Sequence, residues 1–333
     1  MSQSAPLVLR LLASSVTAAT RAGKIIKDVM SGGDLAIVQK RQSVSVSRSV
    51  CFNYMVSILM QGLGHNDLQT EADRSAQRCI IASLSQQFPD VTIIGEEGPS
   101  SPTDEVPSDW VVTESDQDII SRECPKEYGV TKPEDVVVWV DPLDGTSEYT
   151  QGLLDHVTVL IGIAVNGRAV GGVIHQPYYN YQTEKDVRGR TLWGLVGLGV
   201  GGFNPVDPPT DKFIITTTRS HSDGIVVKAL EALNPDEILR VGGAGHKVLL
   251  LLEGKAHAYV FASKGCKKWD TCAPEAVLEA LGGKLTDIHG NHYSYAKDVQ
   301  FPDSQGIFAT ARGVDHATLV SKIPQELREA FPY

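Results

Sequence analysis

Asp141 and Asp144 stand three positions apart in WVDPLDGTSEY (139–149), with Pro142 between them and Gly145 and Thr146 directly behind. An Asp-Pro-x-Asp-Gly stretch is a good turn in its own right, since Pro fixes φ, Gly frees it and Asp can bond its own backbone. Two further observations favour chemistry. The pair follows the apolar run VVVWV (136–140), so it stands at the C-terminal end of a buried strand, where open α/β sheets carry their ligands. Other acids occupy comparable places: Glu96 and Glu97 after VTIIG (91–95), and Asp270 after Trp269 near the start of a helix. Carboxylates that converge repel one another unless they are protonated or bind a metal. A hard divalent cation fits such oxygen donors, and Mg²⁺ in particular takes a few carboxylates with substrate phosphate and waters. Thr146 could then orient a water, and the amides of Gly145 and Thr146 could meet a phosphoryl oxygen if a helix starts there.

Two metals about 4 Å apart can activate water and stabilise a leaving oxygen. Phosphomonoester hydrolysis is the reaction that most needs this, because its uncatalysed rate is among the slowest known and charge neutralisation is the main task. A second anionic group on the substrate needs another partner. Lys247, just past two glycines at a helix start, could supply charge beside free amides. His221 is either an ordinary loop histidine or a contact near base or sugar. Competing machinery is missing from the sequence: there is no Ser-His-Asp spacing, GVGGFNP lacks the acidic follow-up of a dinucleotide fold, and VGGAGHK (241–247) is not a P-loop.

The elements that must position these residues follow from periodicity. Val8, Leu11, Leu12, Val16, Ala19, Ile25, Ile26 and Val29 recur at helical spacing, predicting a helix over 7–30 closed by Gly32 and Gly33. A second helix is predicted from Glu71 to Phe88, stopped by Pro89, and a short strand over 91–95. Residues 98–135 read as a surface excursion with one helix near 114–122. VTVLIGIAV (157–165) and AVGGVIHQP (169–177) form a hairpin turning at Asn166-Gly167, and 191–203 adds strand. Beyond Pro205, Pro208 and Pro209 strands and helices alternate: strands at 213–218, 238–243 and 256–262, helices at 225–233, 246–254 and 271–283, then KLTDI and GIFATAR. The expectation is two α/β-layered lobes with a cleft between them: residues 1–205 an α+β lobe holding most of the acids, residues 206–333 an α/β lobe holding Lys247 and Asp270.

The chain of 333 residues can bury a large core, and its 42% hydrophobic and 21% charged residues are ordinary for a globular protein. Forty acidic against thirty basic residues, a net charge of −10, argue against a nucleic-acid or membrane partner. The five cysteines are odd in number and never spaced CxxC, which points to free thiols and a cytoplasmic setting.

GEE (95–97), WVDPLDGT (139–146) and KKWDTCAPEAVLEALGGKLTD (267–287) resemble the signature of the Mg²⁺-dependent, lithium-sensitive phosphatases related to inositol monophosphatase. DLQTEADRSAQ (67–77), the stretch 153–181, ITTTRSHS (215–222) and VGGAGHK are similar to the branch of that superfamily that acts on nucleoside bisphosphates. The resemblance implies an αβαβα layered sandwich of the inositol monophosphatase/fructose-1,6-bisphosphatase kind. It also implies two or three Mg²⁺ held by Glu96, Asp141, Asp144, Asp270 and the Leu143 carbonyl, with Asp73 and Thr146 holding the attacking water. Thr218, His221, Gly243 and Lys247 would contact the nucleotide. The implied substrate is adenosine 3′,5′-bisphosphate, which loses its 3′-phosphate by in-line attack of water to leave AMP; the 2′,5′ isomer, PAPS and inositol 1,4-bisphosphate are further candidates. A single-chain enzyme is implied. An inositol phosphatase is the runner-up.

One stretch departs from the family's pattern. Between IVQK and DLQT lie roughly twenty extra residues, about 42–66, with Val44, Val46 and an apolar run from Cys51 to Leu63. Closure entropy alone makes such an insertion inexpensive. Two readings stand: an accommodated excursion, or a segment that misplaces Asp73 and leaves a silent metal- or nucleotide-binding protein.

Overall fold

The computed structural model describes residues 5–40, 68–99, 105–183, 189–219 and 224–331. Leu7–Gly32 is a single helix whose inward stripe, including Val8, Leu12, Ala19 and Ile26, is buried. It closes on Gly33 at φ 79°, whose N–H returns to the Met30 carbonyl, the left-handed cap that glycine permits. Glu71–Gln87 is the second helix, one residue shorter than expected. The excursion after residue 98 carries the expected short helix at Gln117–Ile120, started by the Asp116 side chain.

Two large sheets follow. The first has six strands in the order β3-β4-β5-β6-β7-β8: β3 Thr92–Gly95, β4 Val136–Asp144, β5 Thr158–Val165, β6 Arg168–Gln176, β7 Arg190–Leu195 and β8 Gly199–Gly201. Only β3 and β4 run parallel; the rest form an antiparallel meander that includes the Asn166-Gly167 hairpin, both of whose turn residues take positive φ. The second sheet has the order β10-β9-β11-β13-β12, with β9 Ile214–Thr218, β10 Glu237–Val241, β11 Ala258–Phe261, β12 Lys284–Thr286 and β13 Ile307–Thr310. β10, β9 and β11 are parallel, while β13 and β12 add antiparallel, so the alternating pattern of the second half ends in a mixed sheet. A two-stranded pair, β1 Val38–Gln39 and β2 Leu68–Gln69, lies beside the first sheet's acidic end.

Stacking gives five layers. Leu7–Gly32 and Glu71–Gln87 cover one face of the six-stranded sheet. Ala244–Leu252 and Lys268–Leu281 lie between the two sheets and share one apolar core with both. Gly224–Leu233, His316–Ser321 and Gln325–Glu329 cover the outer face of the five-stranded sheet. The αβαβα order matches the expected fold class.

A row of glycines sets how close the middle layer comes. Gly162, Gly172 and Gly194 are direct neighbours across β5, β6 and β7. A Cβ at these positions would lie 2.6 Å from Cys272 Cβ, 2.4 Å from the Ala273 carbonyl and 2.8 Å from Val277 Cα. Lys268–Leu281 can therefore press its backbone onto the sheet, which brings Asp270 over the end of β4.

Candidate active site

β4 runs on past VVVWV. Asp141 still pairs with Leu160, a register irregularity follows, and Asp144 pairs with Thr158. The expected turn is thus an irregular strand end, and it carries both carboxylates inside the fold: Asp141 is 1% exposed and Asp144 7%. A helix does begin at Thr146, one short turn after Gly145 at φ 89°.

Asp270 arrives from the opposite half. Its helix starts at Lys268, three residues earlier than expected, because the Asp270 carboxylate reaches back to accept the Lys267 N–H at 2.6 Å. Asp73 is placed by the same device, its carboxylate accepting the Thr70 N–H at 2.7 Å and the Thr70 hydroxyl at 2.5 Å. Two of the anticipated residues are therefore third-position acids of helix starts, a spacing readable in TEAD (70–73) as a capping pattern.

Asp141, Asp144 and Asp270 converge, with one carboxylate oxygen from each within 4.8 Å of the others. Burial, then Glu96, Asp144 and Asp270, push the Asp141 carboxyl well above its ordinary range. Burial with Glu96 and Asp144 takes Asp270 to about 8. Asp144 is raised less far: burial is opposed by hydrogen bonds from Thr158 Oγ1 at 2.7 Å and from the Ala244 and Gly245 amides at 2.9 and 2.8 Å. Those two amides were expected to be free for an anion; they are spent on Asp144 instead, and the glycine run is an anchor for a cluster acid.

Glu96 and Glu97 stand at the end of β3 and meet Lys40, whose Nζ lies 3.0 Å from Glu96 and 2.8 Å from Glu97. Glu96 also has Lys267 Nζ at 3.6 Å, so it faces the cluster across a pair of lysines. Asp73 is buried, and its Oδ1 accepts the Thr146 hydroxyl at 3.0 Å; the Leu143 carbonyl stands 3.1 Å from the same hydroxyl. Burial pushes Asp73 up to about 7, with its Thr70 hydrogen bond pulling down and Glu97 adding to the rise. Asp73, Asp141 and Asp144 are buried and Asp270 and Glu96 partly so, and such mutually repelling carboxylates are a donor set that could hold a hard divalent cation.

An open cleft of about 220 Å³ begins at this cluster, and Asp144, Thr146, Asp270, Thr218, Gly243 and Lys247 are among the residues that line it. Thr218 ends β9, and Gly243 at φ 71° precedes the helix of Lys247. Lys247 is buried; its Nζ donates to the Gly243 carbonyl at 2.8 Å and sits 5.5 Å from the Tyr259 ring centroid. Burial lowers its pKa, and Asp144 opposes that shift. His221 and the 42–66 insertion lie outside the described residues.

Glu148, Tyr259 and Cys266 are among the cleft residues not singled out from the sequence. Glu148 is buried against the backbone of Gly242, where a Cβ would come within 2.1 Å of its carboxyl carbon, and it has Arg219 at 3.4 Å. Nothing in the local spacing marks it, because its partner lies 71 positions away. Cys266 lines the cleft with its thiol pushed up by burial and Asp270. Trp269 wedges between elements, its ring 6.5 Å from Trp139 and 5.4 Å from Phe301. The four described cysteines, Cys79, Cys124, Cys266 and Cys272, are free thiols, and no described helix is long and apolar enough to cross a membrane.

The chain is 50% identical to human (Homo sapiens) 3′(2′),5′-bisphosphate nucleotidase 1, across 99% of each protein. It is 36% identical to the Golgi-resident adenosine 3′,5′-bisphosphate 3′-phosphatase of Mus musculus, over 78% of this chain and 70% of that one. Among solved structures, an IMPase of Thermotoga maritima superposes with a TM-score of 0.60 at 20% identity, covering 96% of this chain and 98% of that chain. The model of the inositol monophosphatase family matches residues 9–328, and the chain belongs to that family.

Proposed function

We propose that this protein is a Mg²⁺-dependent phosphomonoesterase that removes the 3′-phosphate of adenosine 3′,5′-bisphosphate, giving AMP and phosphate. The observation that carries the reading is one cleft lined both by an acid cluster able to hold a cation and by a buried ammonium, Lys247. A substrate with two phosphates matches both at once. Relatives at about half identity over the full length are bisphosphate nucleotidases, which supports the same substrate class.

Asp141, Asp144, Asp270 and Glu96 would hold the ions, with the Leu143 carbonyl completing the donor set. Bound Mg²⁺ supplies charge neutralisation on the phosphoryl group and makes water more acidic. The chain's own part is positional and acid–base. Thr146 donates to Asp73 and holds that carboxylate at one orientation. Asp73, hydrogen-bonded to Thr146, is the carboxylate placed to accept a proton from the attacking water. Thr218 and the Gly243 backbone border the nucleoside, and Lys247 meets the second phosphate; His221 belongs to the same proposal. Every group named comes from one chain, which favours a working monomer, and the free thiols favour a cytoplasmic setting. The 2′,5′ isomer and PAPS belong to the same proposal.

Phosphate release from adenosine 3′,5′-bisphosphate, followed with and without Mg²⁺ and beside inositol 1-phosphate, tests the reading. Mg²⁺-dependent turnover with the bisphosphate preferred is expected. Preference for inositol 1-phosphate would move the protein to the inositol phosphatases, and no turnover of either would leave a silent binder.

A further inference from the structure

Residues 299–305, VQFPDSQ, serve none of the roles assigned above, yet they are tied to the turn that delivers Asp270. Asp303 is 1% exposed, and its carboxylate is ion-paired with Lys268 Nζ, itself buried, while accepting the Thr271 hydroxyl at 2.9 Å. The Asp303 N–H donates to the Cys266 carbonyl at 2.8 Å, and the Lys268 N–H to the Phe301 carbonyl at 2.9 Å. Lys267 and Pro302 form an antiparallel bridge. The segment therefore grips the main chain on one side of Asp270 and a side chain on each side of it. Phe301 meets the Trp139 ring at 5.7 Å, two residues before Asp141, so the strand that carries the other two acids is held by the same segment.

The first amides of a helix lack partners within the helix, and its first turn sits where outside partners put it. A buried ion pair gives little net stability, because desolvation cancels most of the attraction. In this turn such a pair can fix a single register, since a slip would leave two charges buried and unpaired. Asp270 projects from that registered turn.

We propose that Asp303 is a positioning residue for the metal centre: through Lys268 and Thr271 it fixes the first turn of the Lys268–Leu281 helix, and with it the place of Asp270 beside Asp141 and Asp144. This rests on the reading of Asp270 as a metal ligand.

Calorimetric titration of the full chain with Mg²⁺ alone tests it, on the wild type and on Asp303→Asn, Thr271→Val, Asp270→Asn and Glu253→Gln. Asp303→Asn should weaken Mg²⁺ by about 10-fold or more, the scale on which partners behind a ligand act, and Thr271→Val by about threefold. Glu253→Gln removes another half-buried ion pair, the one with Arg190, and should leave the Mg²⁺ affinity within about twofold although it too lowers the melting temperature. If Asp303→Asn and Thr271→Val lower the melting temperature and leave Mg²⁺ affinity as in the wild type, while Asp270→Asn loses it, Asp303 is structural only and the proposal falls. Should Asp303→Asn fail to fold, Thr271→Val decides by the same criterion. Wild-type affinity in Asp270→Asn would instead sink the ligand assignment, and the positioning role with it.

Discussion

Replacing Lys247 with methionine separates recognition of the second phosphate from the hydrolytic machinery. The lysine is 5% exposed and spends one of its three donors on the Gly243 carbonyl, leaving two for the cleft it lines. Methionine fills nearly the same space against Tyr259, so packing changes little. A phosphate oxygen about 4 Å from the ammonium, at an effective dielectric of about 20, gains about 4 kcal/mol. Desolvation of the two charges returns part of that, leaving about 2–4 kcal/mol. At about 1.4 kcal/mol per decade this is a loss of about 30- to 1000-fold in kcat/KM on adenosine 3′,5′-bisphosphate. On 3′-AMP, which has no second phosphate, the loss should stay below about threefold. Lys247 also lies within electrostatic reach of Asp144, so both substrates are assayed at saturating Mg²⁺ to remove any change in cation affinity. Equal losses on the two substrates would refute the assignment and make Lys247 a counter-charge for the acid cluster.

Asp141→Asn removes a repelling carboxylate from the cluster and should raise the melting temperature of the metal-free protein while abolishing the further rise that Mg²⁺ produces in the wild type; a retained Mg²⁺ effect would count against the cluster as the metal centre. Away from the cleft, burial and then Lys27 lower His175 to about 3, and the close approach of Gly23, where a Cβ would stand 2.0 Å from Nε2, leaves no room for solvent. Unfolded histidine titrates near 6.5, so between about 3 and 6.5 the unfolded state binds the extra proton and stability falls as pH falls, by up to about 1.4 kcal/mol per pH unit. Urea melts of the wild type and His175→Asn at pH 7 and pH 5 should show the wild type losing more on acidification, and parallel losses would contradict a neutral buried imidazole.

The order of helices and strands was legible because each element carries its own period: the 3.6-residue stripe of Leu7–Gly32, and the Asn166-Gly167 turn between two apolar runs. Asp141, Asp144 and Asp270 were legible as acids at element ends. Their meeting was not, for it depends on Gly162, Gly172 and Gly194 lying side by side, a coincidence of register between three strands that no local window contains. Glu148 escaped for the same reason. The start of the Lys268–Leu281 helix was misjudged because Lys267 is an unusual residue before a helix; the signal lay in Asp270 itself, whose side chain closes the turn.

The misreading of the glycine run after β10 has the widest consequence. Free amides at the start of the Lys247 helix would have made that half an anion site independent of the acids. Instead Ala244 and Gly245 give their N–H groups to Asp144, so an acid that ends a strand of the first sheet is a capping partner for a helix of the second half. The Asp144 side chain is thereby fixed before any cation arrives, and the helix that carries Lys247 is fixed to it. The spacing between Asp144 and the start of the Lys247 helix is then set by two hydrogen bonds. On the proposed function, a substrate that must meet both the acid cluster and Lys247 is measured against that short span, which would let one buried lysine discriminate between one phosphate and two.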